Sequence, residues 1–193
     1  MKKIPENLDD PLDNIFSIIC DKLSPFFKNT GHTPNIITTE SLITGLISCY
    51  FLYKGNILLF SIFYIISYFF DCFDGYFARR YNMTSKGGDI YEHIKDISVY
   101  LIILVILYLK YKKYISLQII LIFIFIVGML MIHMGCQQKY YLEHNPDKKE
   151  ESIDKLKGFC TNTGNLSWTR FFGPGMFTIF TILLVWYISR NKS

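Results

Sequence analysis

The chain has 193 residues, 51% of them hydrophobic and 17% aromatic, with a mean hydropathy of +0.26. That is too apolar for an ordinary soluble domain of this size and points to an integral membrane protein. The formal net charge of +4 is spread among loops, and no basic run extends beyond Lys110, Lys112 and Lys113, so nucleic-acid binding has no support.

The opening stretch MKKIPENLDDPLDN lacks the apolar segment of a cleaved signal peptide, so the first spanning helix is expected to act as the membrane signal. Residues 14–27 place Ile15, Ile18, Ile19, Leu23 and Phe26 at helical spacing, with Asp21 and Lys22 on the other side. This predicts an amphipathic helix lying in the membrane interface. Residues 1–33 are then an N-terminal juxtamembrane segment and 34–190 a membrane domain.

A helix needs about 20 apolar residues to cross a bilayer. Apolar runs at 35–53, 56–73, 97–109, 114–135 and 166–188 give five expected spans, with a sixth left open. The third run looks short because its first turns carry Asp89, Glu92, Lys95 and Asp96; counted from Gly88 to Lys110 it is long enough. Pro34, after Thr33, stands at a helix-initiating position, and Gly55-Asn56 makes a tight turn between the first two spans. Residues 144–165 read as a polar connector with a short surface helix, and Gly173-Pro174-Gly175 should kink or delay the last span. The expected fold class is therefore all-α, a polytopic transmembrane helical bundle.

Five cysteines, odd in number and without C-x-x-C spacing, are expected to be reduced packing residues. His133 is read as a packing histidine, since no Cys or His partner has metal-ligand spacing, and Arg170 as a flank charge of the last span. Orientation follows from Lys and Arg. With a cytoplasmic N-terminus, thirteen of them fall inside (Lys148 and Lys149 included) and six outside (Lys192 included), which predicts a cytoplasmic 71–96 segment.

That segment, DCFDGYFARRYNMTSKGGDIYEHIKD, carries the chemistry. Charge at membrane depth is costly and is usually retained where it lines a water-filled or ligand-filled cavity. Asp71 and Asp74 are three residues apart and Glu92 and Asp96 four apart, so each pair shares one helix face. Two adjacent helices would bring four carboxylates together, a donor set suited to hard divalent cations and substrate phosphates. Gly75 and Ala78 leave the Asp71 face without bulk.

The run fits D-x-x-D-G-x-x-A-R-x8-G-x-x-x-E-x-x-x-D, and this resembles the signature of the CDP-alcohol phosphotransferase family of integral membrane enzymes. Seven of eight positions agree, namely Asp71, Asp74, Gly75, Ala78, Arg79, Gly88 and Asp96; the eighth has Glu92 where the family has Asp. Pro34 to Thr38 also resembles the start of the family's first span, and the resemblance covers about residues 30 to 140. It implies transfer of a substituted phosphoryl group from a CDP-linked lipid or alcohol donor to an alcohol acceptor, with release of CMP. It further implies Mg²⁺ or Mn²⁺ held by Asp71, Asp74 and Glu92, with Asp96 as general base. Gly75, Ala78, Arg79 and Gly88 are implied to bind substrate, and the enzyme to be a homodimer in the lipid bilayer.

Chain length resembles the relatives that move phosphatidyl from CDP-diacylglycerol onto a small alcohol. His93 beside Glu92 resembles instead those that move phosphocholine or phosphoethanolamine onto diacylglycerol. A third alternative is a degenerate lipid- or divalent-ion-binding homologue; ion passage alone does not require the Gly75, Ala78 and Arg79 triplet. Acceptor, donor and organelle are not legible in the sequence.

Overall fold

The computed structural model describes residues 2–145 and 152–191; Lys148, Lys149 and Lys192 of the charge count, and part of the 144–165 connector, lie outside the described residues. The fold is all-helical. α1 (Pro11–Asn29) precedes four long helices, α2 (Pro34–Lys54), α3 (Ile57–Arg80), α4 (Lys86–Tyr111) and α5 (Leu117–His144). A 3₁₀ stretch at Ser152–Phe159 and the short helix α6 (Leu166–Thr169) lead to α7 (Pro174–Arg190).

The helix boundaries have local causes. Thr33, Asn56 and Ser85 each accept a backbone N–H of the first turn of α2, α3 and α4 through the side chain. Gly55 closes α2 in the left-handed conformation, with φ 81°. The last span is broken as the Gly-Pro-Gly sequence predicts. Helical turns run to Phe172, and α7 restarts at Pro174, whose missing N–H is no loss in a first turn.

Four segments are long and apolar enough to cross a membrane: Pro34–Lys54, Ile57–Arg80, Leu117–His144 and Thr163–Arg190. α4 has 26 residues, enough length to span, but its first half is charged and only its second half reads as membrane core. Among the described residues there is no sixth long helix after α1. The helices turn apolar side chains outward; Leu101, Val105 and Leu109 on α4 and Leu121 and Phe125 on α5 are all exposed, as a lipid solvent requires.

α1 is amphipathic in the expected region but begins earlier, at Pro11 with Asp10 as its N-cap. Phe16 and Cys20 are buried, with Cys20 packing in a cluster with Phe73 and Phe77 of α3, while Ile15, Ile18 and Phe26 remain exposed. Asp10 is fully buried and does two jobs. One carboxylate oxygen accepts Leu12 N–H at 2.8 Å and the other accepts Met176 N–H at 2.9 Å, capping α7 from a distant segment.

The cysteine expectation needs correction: Cys136 and Cys160 form a disulfide, while Cys20, Cys49 and Cys72 are free. Spacing gave no hint, because the 3₁₀ stretch folds back on α5. Gly135 permits this approach, since a Cβ there would lie 2.2 Å from the Leu156 carbonyl oxygen.

Candidate active site

The site forms where the C-terminal half of α3, the N-terminal half of α2 and the charged half of α4 converge. Ser41 on α2 and Ser67 on α3 donate to each other's carbonyls, both at 2.8 Å, fixing the two helices at this level. One turn further along α2, the Thr38 hydroxyl donates to Asp74 Oδ2 at 2.6 Å. Asp74 is only 2% exposed, and its other oxygen, Oδ1, is buried without a hydrogen-bond partner.

One carboxylate oxygen each from Asp71, Asp74 and Glu92 lies within 4.8 Å of the others. A buried oxygen left without a partner is uncommon and costly. Its presence inside a group of three carboxylates is what a hard divalent cation would satisfy, so the residues fit Mg²⁺ or Mn²⁺. Glu92 also falls in a second such group with His93 and Asp96. The longer Glu92 side chain thus reaches the same place as the aspartates of α3.

Asp71, Glu92, His93 and Asp96 line a cavity of about 640 Å³, which Asp74, buried beside Thr38, does not itself line. Asp71, Gly75, Arg79, Glu92, His93, Lys95 and Asp96 line its polar part, and Ile97, Tyr100, Met131, Met134 and Phe177 its apolar part. Polar chemistry therefore adjoins an apolar wall, an arrangement suited to a headgroup with attached chains. Gly75 lies against Arg79, and a Cβ there would meet the guanidinium at 3.1 Å. Ala78 is buried, and Gly88 donates its N–H to Ser85 Oγ at 3.0 Å in the first turn of α4; neither lines the cavity.

The sequence model of the CDP-alcohol phosphatidyltransferase family matches residues 31–188. The chain belongs to this family. No curated protein and no solved structure matches it. As a CDP-alcohol phosphatidyltransferase it is an enzyme that transfers a substituted phosphate group from a CDP-alcohol. The match runs past residue 140 to take in α7, farther than the motif alone reaches, and leaves residues 2–30 outside.

That outlying N-terminal segment nevertheless builds one wall of the phosphatidyltransferase cavity through Lys2, Lys3, Asp9, Asp13 and Ser17. Gln137 donates to Asp9 Oδ1 at 3.2 Å, and Tyr68 donates to Asp13 Oδ1, which also lies 3.7 Å from Cys72 Sγ. Burial pushes the Asp9 carboxyl up to about 6, and burial together with Asp10 raises Asp13 well above the usual carboxylate range. Sequence reasoning missed these residues, although Asp9 and Asp13 share the four-residue spacing of Glu92 and Asp96.

In the sequence Lys95 is one of several charges in the first turns of α4. It is 3% exposed, and its ammonium contacts Asp71 Oδ1, Asp96 Oδ1 and, at 3.1 Å, Ser41 Oγ. The signal was its register: Lys95, Val99, Ile103 and Ile106 form one buried stripe of α4. A lone charge in such a stripe must be paired.

His133 is a packing histidine as expected, fully buried with Nδ1 3.2 Å from Thr169 Oγ1. Arg170 does not line the cavity and donates to the Asn7 carbonyl, tying down the N-terminal segment. His93 lines the cavity with Nε2 3.6 Å from Asp89, one turn back on α4.

Proposed function

We propose that this enzyme transfers a phosphatidyl group from CDP-diacylglycerol to a small polar alcohol, releasing CMP. The observation that supports this reading is a single cavity in which carboxylates adjoin an apolar wall. A lipid-linked diphosphate needs both surfaces at once. Asp71, Asp74 and Glu92 would hold Mg²⁺ or Mn²⁺, which when bound offsets charge on the diphosphate oxygens.

The protein's own residues supply the rest of the chemistry. Asp96, the most solvent-accessible of the four carboxylates, takes the proton of the acceptor hydroxyl. The acceptor oxygen then bonds to the lipid-bearing phosphorus as the bond from that phosphorus to the CMP oxygen breaks. Arg79 steadies donor phosphate with its fixed cationic fork, and Gly75 leaves room for the cytidine, with the small Ala78 packed behind the cavity wall. Gly88 serves the same pocket by allowing the tight start of α4.

The test is incubation of purified protein with CDP-diacylglycerol, Mg²⁺ or Mn²⁺, and inositol, serine, glycerol 3-phosphate or ethanolamine, following CMP. Release with one of these acceptors is expected. His93 favours a second reading, a choline or ethanolamine phosphotransferase. CMP release only from CDP-choline or CDP-ethanolamine with diacylglycerol would establish that reading instead. Donor binding without CMP from any combination would mean a degenerate homologue.

Residues 1–33 act in this proposal as a juxtamembrane segment resting at the interface, 34–190 as the membrane domain, and the enzyme works as a homodimer. The Lys and Arg count supports a cavity on the cytoplasmic side. Cys136 adjoins the cavity residue Gln137, so the disulfide is at the same end, and disulfides persist mainly in oxidising compartments. The disulfide thus argues for the opposite orientation, and labelling decides between the two. A cysteine introduced by Ser85→Cys, at an exposed position, should react with an impermeant maleimide only from the cytoplasm. Labelling from the opposite face alone would reverse the topology.

A further inference from the structure

We propose that the Lys95 ammonium occupies the place of a second divalent ion, so that the site takes one divalent cation, at Asp71, Asp74 and Glu92. The inference rests on the phosphotransferase reading above and concerns how that site is charged.

Two-metal sites that perform in-line displacement set their ions about 3.5 to 4 Å apart, held by carboxylates from more than one element. The four carboxylates here could supply two such ions by number alone. Lys95 changes that arithmetic. Its Nζ lies between Asp71 of α3 and Asp96 of α4, touching one oxygen of each, and Ser41 of α2 completes the set at 3.1 Å. An ammonium has three N–H donors, and three acceptors from three helices are in place.

The lysine is also poorly able to step aside. It is 3% exposed and stands on the buried stripe of α4, so withdrawal of the ammonium would leave a charge in the core or require α4 to rotate. A divalent ion between Asp71 and Asp96 would meet that fixed positive charge at contact distance, and one in the second group, Glu92, His93 and Asp96, would have to share Asp96 with the ammonium. The group of Asp71, Asp74 and Glu92 stays available. Asp71 has a second oxygen besides the one that contacts the lysine, and Asp74, whose Oδ1 is buried without a hydrogen-bond partner, belongs to this group.

The experiment counts Mn²⁺ on the full chain in lipid nanodiscs, by elemental analysis after gel filtration and by the electron paramagnetic resonance spectrum. One Mn²⁺ per chain is expected for the wild type, with a mononuclear spectrum. Lys95→Met keeps the apolar stem and removes the charge, and should bind two Mn²⁺ with a spin-coupled spectrum. Should Lys95→Met not fold, Lys95→Gln retains a hydrogen-bond donor and carries the same expectation. Two coupled ions in the wild type, or a single ion in the charge-free variants, would overturn the proposal. CMP release from the same samples separates the layers: an active wild type with two ions sinks only the lysine assignment, whereas a wild type with no bound ion and no CMP release sinks the phosphotransferase reading as well.

Discussion

Asp96→Asn is expected to lower CMP release by about 10²- to 10⁴-fold, the usual contribution of a positioned acid or base, while leaving Mn²⁺-dependent binding of CDP-diacylglycerol largely intact. The amide cannot take the acceptor's proton, yet it preserves the size of the side chain. Asp96 lies outside the group of Asp71, Asp74 and Glu92, so losing its charge should not empty the metal position. Asp71→Asn should behave differently. Asp71 belongs to that group and also pairs with Lys95, so the substitution removes a ligand and half of the lysine's compensation together. It should weaken metal and donor binding before any effect on chemistry is read. Parallel titrations of donor affinity and CMP release in the two variants provide the measurement. An equal fall in donor affinity in both would erase the distinction between ligand and base.

The parts of this molecule that were legible in its sequence are those governed by local rules. Lipid offers no hydrogen bonds to the backbone, so each crossing must be a continuous apolar helix, and such runs are visible by length alone. Caps were visible for similar reasons: Thr33-Pro34 and Gly55-Asn56 set the limits of α2 within a residue or two. The carboxylate group was legible because three- and four-residue spacings put Asp71 with Asp74 and Glu92 with Asp96 on single helix faces, and one turn between α3 and α4 brings the two faces together.

What escaped the sequence depends on contacts between distant segments. Asp9 meets Gln137 across 128 residues, and Asp10 caps α7 across 166, separations at which no periodicity carries information. The Cys136–Cys160 disulfide depends on the 3₁₀ stretch turning back over Gly135, a backbone approach with no spacing signature. Lys95 is the instructive intermediate. Its stripe with Val99 and Ile103 was readable, but charged residues on either side made it look like part of a solvated turn. Only the position of Ser41 and Asp71 around it shows that it is a buried cation.

Glu92 provides the second large expected effect, because it is the one signature position that departs from the family. Glu92→Ala should be inactive, whereas Glu92→Asp should keep measurable CMP release. In the structure the extra methylene is already absorbed: a Glu92 oxygen lies within 4.8 Å of oxygens from both Asp71 and Asp74, so placement on α4 and chain length together deliver the carboxylate. Shortening the side chain withdraws that oxygen by about one bond length, and a misplacement near 1 Å can cost on the order of a hundredfold in rate. Glu92→Asp should therefore be slower than the wild type but well above Glu92→Ala. Mn²⁺ affinity should fall in the same order, since ligand loss acts on ground-state binding as well as on the transition state. The discriminating measurement is CMP release set beside Mn²⁺ affinity for the three proteins. Wild-type turnover left unchanged by Glu92→Ala would show that Glu92 is no ligand, and the cation would then have to be held by Asp71 and Asp74 alone. Activity that appears only in Glu92→Asp would mean something else: the wild-type chain binds its donor without turning it over, and a single methylene accounts for the difference.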